Sequence, residues 1–391
     1  MFTKPLNYII TKANLLEAYE QISKSSTGLD GVDFLEFEKN LGENIAQIVK
    51  RVKEGLYSPE PIKKIAINKA NGHEKRPIGL SAIKDKLVQR VLYNNLNPYF
   101  DKQFSNASYA YRPEKSTLKA INRATEHLNQ KNFIVLKSDI ENFFETINHD
   151  KLLKILDAEV KDKSIIRLLS LFMQVGGFVK QDYDAHLHGV YQGDILSPLL
   201  SNIYLNEMDI FLEKKNISFV RYADDFALFF KGKNSAYQTL KELKKFLKTL
   251  HLKLGDKKTS VVHISDGFTF LGVEFRGRNR EIQEERLQKS LQKLELLSQN
   301  KSGFKKYVDE LNFYLQGVKN YYLKILTKNS QQHLALQNAL SSSLSHKVFL
   351  SKKSKDITTK KEFTILLEQV KLHILFEVDI VKHEIKHILA I

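Results

Sequence analysis

Two apolar runs that meet at a pair of carboxylates constrain this chain more than any other feature. The segment reads Phe219-Val220-Arg221-Tyr222-Ala223-Asp224-Asp225-Phe226-Ala227-Leu228-Phe229-Phe230. Both runs have strand length and strand composition, so the segment reads as a hairpin with the carboxylates at its tip. Adjacent ionised carboxylates repel, and partial burial strengthens the repulsion. Divalent cations relieve it, and Mg²⁺ prefers carboxylate oxygens. Taken alone, the pair reads more readily as a solvated Asp-Asp turn than as a metal site. A third carboxylate shifts the balance, because Asp139 lies where the apolar run Phe133-Ile134-Val135-Leu136 gives out. A strand-end Asp beside a hairpin-tip pair suits two cations roughly 3.5–4 Å apart, the arrangement that serves in-line phosphoryl or nucleotidyl transfer.

Charge points the same way. The 391 residues carry 61 Lys+Arg against 45 Asp+Glu, a net charge of +16. A chain this basic is expected to meet a polyanion, nucleic acid first. A 42% hydrophobic content fits a globular core rather than a disordered chain. The lack of cysteine excludes disulfides, thiolate zinc sites, iron–sulfur clusters and a cysteine nucleophile. The first residues lack a signal-peptide pattern, and no apolar run approaches the ~20 residues that span a bilayer. The expectation is a soluble, cytoplasmic protein with no membrane partner.

Periodicity supplies a coarse frame. Residues 12–56 read as helical with a turn at Thr27-Gly28-Leu29-Asp30-Gly31, and 61–80 as an extended pair turning at Asn71-Gly72. Helices are expected over 82–100 and, opened by Ser197-Pro198, over 197–211. Over 235–254, Leu240, Leu243, Phe246, Leu247 and Leu250 share a helical stripe, with Lys241, Lys244, Lys245 and Lys248 largely off it. Residues 283–325 read as helical, and the last 60 as Lys/Ser-rich and then helical.

The two carboxylate segments resemble the catalytic motifs of reverse transcriptases of the group II intron type, and further segments match in order. Leu29-Asp30-Gly31-Val32-Asp33 resembles their N-terminal motif. Lys75-Arg76-Pro77-Ile78-Gly79-Leu80 with Ile83-Lys84-Asp85-Lys86-Leu87-Val88-Gln89 resembles the fingers, and Ser108-Tyr109-Ala110-Tyr111-Arg112-Pro113 follows. Gly189 to Leu205, containing Gln192-Gly193-Asp194-Ile195-Leu196-Ser197-Pro198, resembles the motif beneath the incoming nucleotide. Lys258-Thr259 and Phe270-Leu271-Gly272 resemble the last palm motif and the primer grip, and Leu311 to Tyr322 resembles the thumb.

The resemblance covers roughly residues 25–325. It implies an α+β right-hand polymerase: fingers and palm with an antiparallel palm sheet flanked by helices, and an α-helical thumb. The boundaries expected are 1–130 for the N-terminal extension and fingers, 131–280 for the palm, 281–328 for the thumb and 329–391 for a helical tail. The activity implied is RNA-directed DNA synthesis with two Mg²⁺ ions, for which Mn²⁺ can substitute.

Roles carry over residue by residue. Asp139, Asp224 and Asp225 are implied as metal carboxylates, with the Ile140 carbonyl as a further ligand. Lys75 and Arg76 are implied at the triphosphate, where cations neutralise developing charge; a solvated basic strand is the alternative. Phe144 stands where the family excludes a ribose 2′-OH, or else packs the core. Gln192 would contact the nucleotide, or be a satisfied loop residue. Lys258 would protonate the pyrophosphate, or be a surface lysine. Arg112 would hold template phosphate, or pair with a carboxylate. Phe270, Leu271 and Gly272 would meet nucleic acid. The sequence departs from the family at Tyr191, where Pro is usual, and at Asp194, where a small residue is usual.

Aromatic residues interleave with basic ones at Tyr307, Phe313, Tyr314, Tyr321 and Tyr322, which suits base stacking or thumb packing. His383-Glu384-Ile385-Lys386-His387 matches a zinc-protease pattern; with four residues following, it reads as a chance match on a charged helix. His186 and His188 alternate, and are read as a loop or strand pair. The partners expected are an RNA template, a DNA primer or cDNA, dNTPs and, in one setting, a CRISPR adaptation integrase complex. That setting, copying RNA into spacer DNA, stands beside another phage-defence system and an intron-derived RNA-binding maturase. A template-independent nucleotidyl transferase is the other alternative.

Overall fold

The computed structural model describes residues 1–68, 75–179, 182–185, 187–277, 279–300, 302–326, 330–354, 365 and 369–370. The turn at Asn71-Gly72, His186 and the His383–His387 pattern lie outside the described residues. The chain divides into two compact units, one of residues 1–116 and 134–261, the other of 117–133 and 262–391.

After a single helical turn at Leu6–Ile9, the first unit holds helices Lys12–Gln21, Phe34–Lys39 and Leu41–Lys53. Two of them start on side-chain caps: Thr11 accepts from the Asn14 amide and Asp33 from the Glu36 amide. The segment between the first two docks by close approach. A Cβ on Gly28 would lie 2.6 Å from the Ala82 backbone. Strands Ile62–Asn68 and Lys75–Leu80 pair antiparallel. Ile62 and Lys63 also pair in parallel with Gly177 and Phe178, and strand Asp182–Asp184 completes a four-stranded sheet. Helix Ile83–Asp101 follows.

The second sheet of this unit is the palm sheet. Its order is Ser218–Tyr222, Asp225–Phe230, Ile134–Asp139, Ser260–His263. Val135, Leu136, Phe226, Ala227 and Leu228 are fully buried, which accounts for the near-continuous apolar runs in the sequence. Helix Ser197–Lys214 starts with Pro198 in its first turn, and helix Lys233–Thr249 buries Ala236, Leu243 and Leu247. The amphipathic stripe expected over 235–254 therefore stops five residues early. His251 has a left-handed φ of 55°, which ends the helix.

The second unit holds helix Thr117–Asn129 and a three-stranded antiparallel sheet of Phe268–Phe270, Val273–Arg276 and Asn279–Ile282. Helices Glu284–Gln299, Phe304–Asn320 and Gln331–Ser354 follow. The helix expected over 283–325 is thus two helices, the second capped at Gly303, with a 3₁₀ turn at Tyr322–Lys324. The last of the three helices packs on the first. Ser343 Oγ donates to the Leu294 carbonyl at 2.7 Å, and Ser298 Oγ meets His346 Nδ1 at 3.0 Å. The described part of the C-terminal region therefore packs against these helices. Among the described residues no helix is long and apolar enough to cross a membrane.

A buried carboxylate in the first unit makes its stability depend on pH. Asp85 is 1% exposed, accepts from Tyr57 Oη at 2.5 Å and from the Glu60 amide at 2.9 Å, and burial pushes it up to about 7 despite both bonds. An unfolded Asp releases its proton near 3.9, so between about 4 and 7 the folded chain binds more protons and loses stability as pH rises. Urea titrations across that window should show this loss in the wild type. Asp85→Asn should flatten it by up to about 1.4 kcal/mol per pH unit.

Candidate active site

Antiparallel pairing brings the carboxylates together. The strands Ile134–Asp139 and Asp225–Phe230 pair from Ile134↔Phe230 to Asp139↔Asp225, so the last rung sets two carboxylates side by side. The hairpin partner ends at Tyr222↔Asp225, leaving Ala223-Asp224 as a two-residue loop. Ala223 takes a left-handed φ of 57° at the first loop position, where such a tight hairpin favours glycine. Asp224 is tied in through its carbonyl, which accepts from the Ile140 amide at 3.2 Å. Ile140 is buried and bridges Leu254, and the Gly255 amide donates to the Asp139 carbonyl at 3.0 Å.

Two lysines partly offset the charge of this cluster. Lys258 Nζ donates to Asp139 Oδ2, and Lys137 Nζ lies 3.8 Å from Asp225 Oδ1. Burial pushes Asp225 up to about 6; Asp224 and Asp139 add to the rise and Lys137 opposes it. The hydrogen bond to Asp139 raises Lys258. Two buried oxygens, Asp139 Oδ1 and Asp225 Oδ1, find no hydrogen-bond partner among the described residues. Hard oxygen donors of this kind, already drawing ammonium groups to them, suit a divalent cation. Among the described residues no three acidic or imidazole groups converge as a ready-made metal cage.

The other residues expected at the site fall as follows. Phe144 sits on the single turn Phe143–Thr146, half-buried, edge-on to Phe143 at 5.6 Å. Its carbonyl accepts from the Val190 amide at 2.7 Å. The adjoining Gly189 has a φ of 84°, and a Cβ there would strike that carbonyl, so the approach requires glycine. The Gln192 carbonyl accepts from the Gly79 amide at 2.8 Å. Gln192, Lys64, Ile78, Gly79, Glu145 and Tyr191 line a cavity of about 500 Å³. Lys75 and Arg76 lie on the strand Lys75–Leu80, and their side chains are outside the described ones.

Arg112 takes the carboxylate-pairing course. Its Nε donates to Asp101 Oδ1 at 2.6 Å, and its other nitrogens donate to the carbonyls of Asp101, Ser105 and Ser108. Asp194 turns to Ser81, and burial pushes it up to about 6. Tyr191 is buried against Gly79 and Gly177, with Lys64 Nζ 5.0 Å from its ring centre.

In the second unit, Phe270 is fully buried, while Leu271 and Gly272 form a two-residue turn with φ of 54° and 80°. A left-handed Leu is strained, and the Leu271 carbonyl accepts from Tyr321 Oη at 2.8 Å. Tyr307, Tyr314 and Tyr322 bond Ser343, the Ser290 carbonyl and Ser290 Oγ. Those three, with Tyr321, pack the helical unit. Phe313 differs, at 86% exposed.

The sequence reading missed the group that holds this site up. Arg221, with no exposed side chain, forks onto Asp209 at 2.7 and 2.5 Å. It also donates to Asn202 Oδ1 and to the Ala223 carbonyl, each at 3.1 Å. Burial pushes Asp209 up and Arg221 opposes the rise. A charged residue inside the run Phe219-Val220-Arg221-Tyr222 was the available signal, since a buried arginine demands a carboxylate.

A paired-carboxylate palm with bound lysines defines the class: a polymerase that joins nucleotides. Residues 67–275, over half the chain, match the family described as reverse transcriptase (RNA-dependent DNA polymerase). The chain belongs to that family and is an RNA-directed DNA polymerase of the group II intron-like kind. It is similar to protein YkfC of Escherichia coli (strain K12), 29% identical over 308 residues, 68% of this chain and 81% of that protein. It is similar to the group II intron-encoded protein LtrA of Lactococcus lactis subsp. cremoris, 26% identical over 344 residues, 71% of this chain and 57% of LtrA. The chain therefore matches little more than half of LtrA's length. Among solved structures, a partial Cas6-RT-Cas1–Cas2 complex aligns at 24% identity with a TM-score of 0.39, covering 63% of this chain and 43% of that one. Reverse transcriptases generally use divalent metal ions.

Two substitutions test this architecture. Arg221→Met should cost about 3–5 kcal/mol in urea denaturation by leaving Asp209 buried and unpaired. Arg221→Met/Asp209→Leu should recover most of the loss. A Cβ on Gly255 would overlap Asp139 Oδ1. Gly255→Ala should therefore lower primer extension at least about tenfold, roughly 1.4 kcal/mol, with little change in melting temperature.

Proposed function

We propose that the chain copies RNA into DNA by two-metal nucleotidyl transfer, with Asp139, Asp224 and Asp225 as the metal carboxylates and the Ile140 carbonyl as a further ligand. The observation that supports this is the register Asp139↔Asp225 beside the Asp224 turn. Mg²⁺ at these oxygens, with Mn²⁺ able to substitute, would acidify the primer 3′-hydroxyl and offset charge on the phosphates. The hydroxyl oxygen attacks the α-phosphorus of a dNTP, its proton passes to solvent, and the bond to pyrophosphate breaks.

Lys258 is the residue to supply the leaving group's proton. Its bond to Asp139 must first open, and an Asp139 engaged with a cation would release it. Gln192 and Phe144 would border the nucleotide, with Phe144 disfavouring a 2′-hydroxyl. Lys75 and Arg76 would offset triphosphate charge. Phe270, Leu271 and Gly272 would carry the primer strand. An RNA template, a DNA primer and dNTPs are the partners of this reading.

The setting we propose is bacterial defence, with copying of RNA into spacer DNA beside a CRISPR adaptation integrase as its first use. The character of the Gln192 to Pro198 segment supports it. Co-purification with that integrase checks the setting, and failure to associate would return another phage-defence system or the intron-derived reading.

Primer extension on poly(rA)/oligo(dT) with Mg²⁺ or Mn²⁺ tests the chemistry. The wild type should extend, and Asp224→Ala/Asp225→Ala should lose about 10³-fold or more, the several kcal/mol of charge stabilisation that metal ions supply. Extension without template would favour the template-independent transferase. Salt-sensitive RNA binding with no extension would favour the RNA-binding maturase.

A further inference from the structure

Helix Lys233–Thr249 shows two unlike faces. Ala236, Leu243 and Leu247 are buried. The outer face carries Lys233, Tyr237, Lys241, Lys244, Lys245 and Lys248, all exposed, with Tyr237 at 55%. At 3.6 residues per turn these six fall within about a third of the helix circumference, and at 1.5 Å per residue they span ~22 Å. The helix has a single acid, Glu242, which lies off this face and is held by Lys215 at 2.7 Å and Gln238 at 3.1 Å. Lysines three and four apart repel, and Lys241, Lys244, Lys245 and Lys248 make four such pairs. A polyanion laid along the face relieves all of them at once.

The face also has a direction. The helix begins just after Phe230, which pairs with Ile134 at the end of the palm strands away from the carboxylates. It runs back toward Leu254, which bridges Ile140, and Gly255, whose amide bonds the Asp139 carbonyl. Lys248 is thus at the catalytic end and Lys233 at the far end. An exposed tyrosine amid the lysines offers a ring to an unstacked base, as single-strand binding surfaces do. A duplex keeps its bases stacked and offers none to that ring.

We propose that this face is a track for single-stranded RNA, carrying template that lies outside the copied segment along the palm. The inference rests on the polymerase reading above. The test is the salt dependence of binding to a single-stranded RNA of mixed sequence. Each lysine–phosphate contact on a single strand contributes about 0.7 to the slope of log K against log salt. Lys241→Gln/Lys244→Gln/Lys245→Gln/Lys248→Gln should make that slope shallower by about 3, and Lys241→Gln/Lys245→Gln by about half as much. Glutamine is a good helix former, and the substitutions remove like-charge pairs, so melting should not fall.

The control is the same charge removed elsewhere, at the exposed Lys50, Lys53, Lys154 and Lys161, which should leave the slope near wild type. Extension of a short, saturating primer–template should be retained in the quadruple variant. An unchanged slope, a slope equal to the control's, or a loss seen with single-stranded DNA but not RNA would overturn the track. A loss of binding only to an acidic protein would overturn it too. A wild type that binds RNA yet never extends would instead remove the polymerase reading, and the slopes would still report on the track.

Discussion

The buried pair of Arg221 and Asp209 is the contact on which the palm rests. One guanidinium joins the helix Ser197–Lys214 through Asp209 and Asn202, and the hairpin tip through the Ala223 carbonyl. The Arg221 backbone also exchanges bonds with Ala107 and Tyr109, and Asn202 donates to the Ala110 carbonyl. Arg112 organises the same stretch from its other side, spending its donors on Asp101, Ser105 and Ser108. A planar fork suits such a junction, because each nitrogen fixes a direction as well as a charge. The carboxylate-bearing loop is held from beneath by a group whose own desolvation must be repaid at every donor.

The site above this junction is balanced rather than relaxed. Asp225 is raised by burial, Lys258 is raised by Asp139, and Ala223 holds a backbone shape that suits glycine. Ammonium groups stabilise the carboxylates in one state of the site, and the chemistry proposed for it would ask those same carboxylates to face a harder cation. A flexible lysine gives way more readily than a forked arginine. Lysine at 137 and 258 and arginine at 221 thus divide the labour between exchange and permanence.

Much of this was readable from the residues. The hairpin at 218–230 and the strand ending at Asp139 follow from apolar runs that stop at carboxylates, and the structure places both. The helix at 197–214 announces itself with Ser-Pro. What sequence could not supply was partner choice across distance. Arg112 offered a phosphate or a carboxylate equally until Asp101 lay beside it. The thumb tyrosines look like stacking platforms in one dimension, and only in three do Ser290 and Ser343 claim their hydroxyls. Tyr191 breaks the family pattern, yet the cavity wall accommodates it because Gly79 and Gly177 leave its ring room. Helix ends were misjudged where one left-handed residue, His251, stops a periodic pattern that would otherwise continue.

The six rungs from Ile134↔Phe230 to Asp139↔Asp225 act as a ruler. Side chains alternate between faces of a strand, so a shift of one rung would carry Asp139 to the wrong side while leaving the apolar pattern almost intact. The strand is therefore free in its letters and bound in its length. Substitutions among Ile134, Val135 and Leu136 trade packing for packing, whereas a single inserted or deleted residue changes which atoms meet at the end. Lineages of such chains should drift in the composition of this strand and keep its residue count.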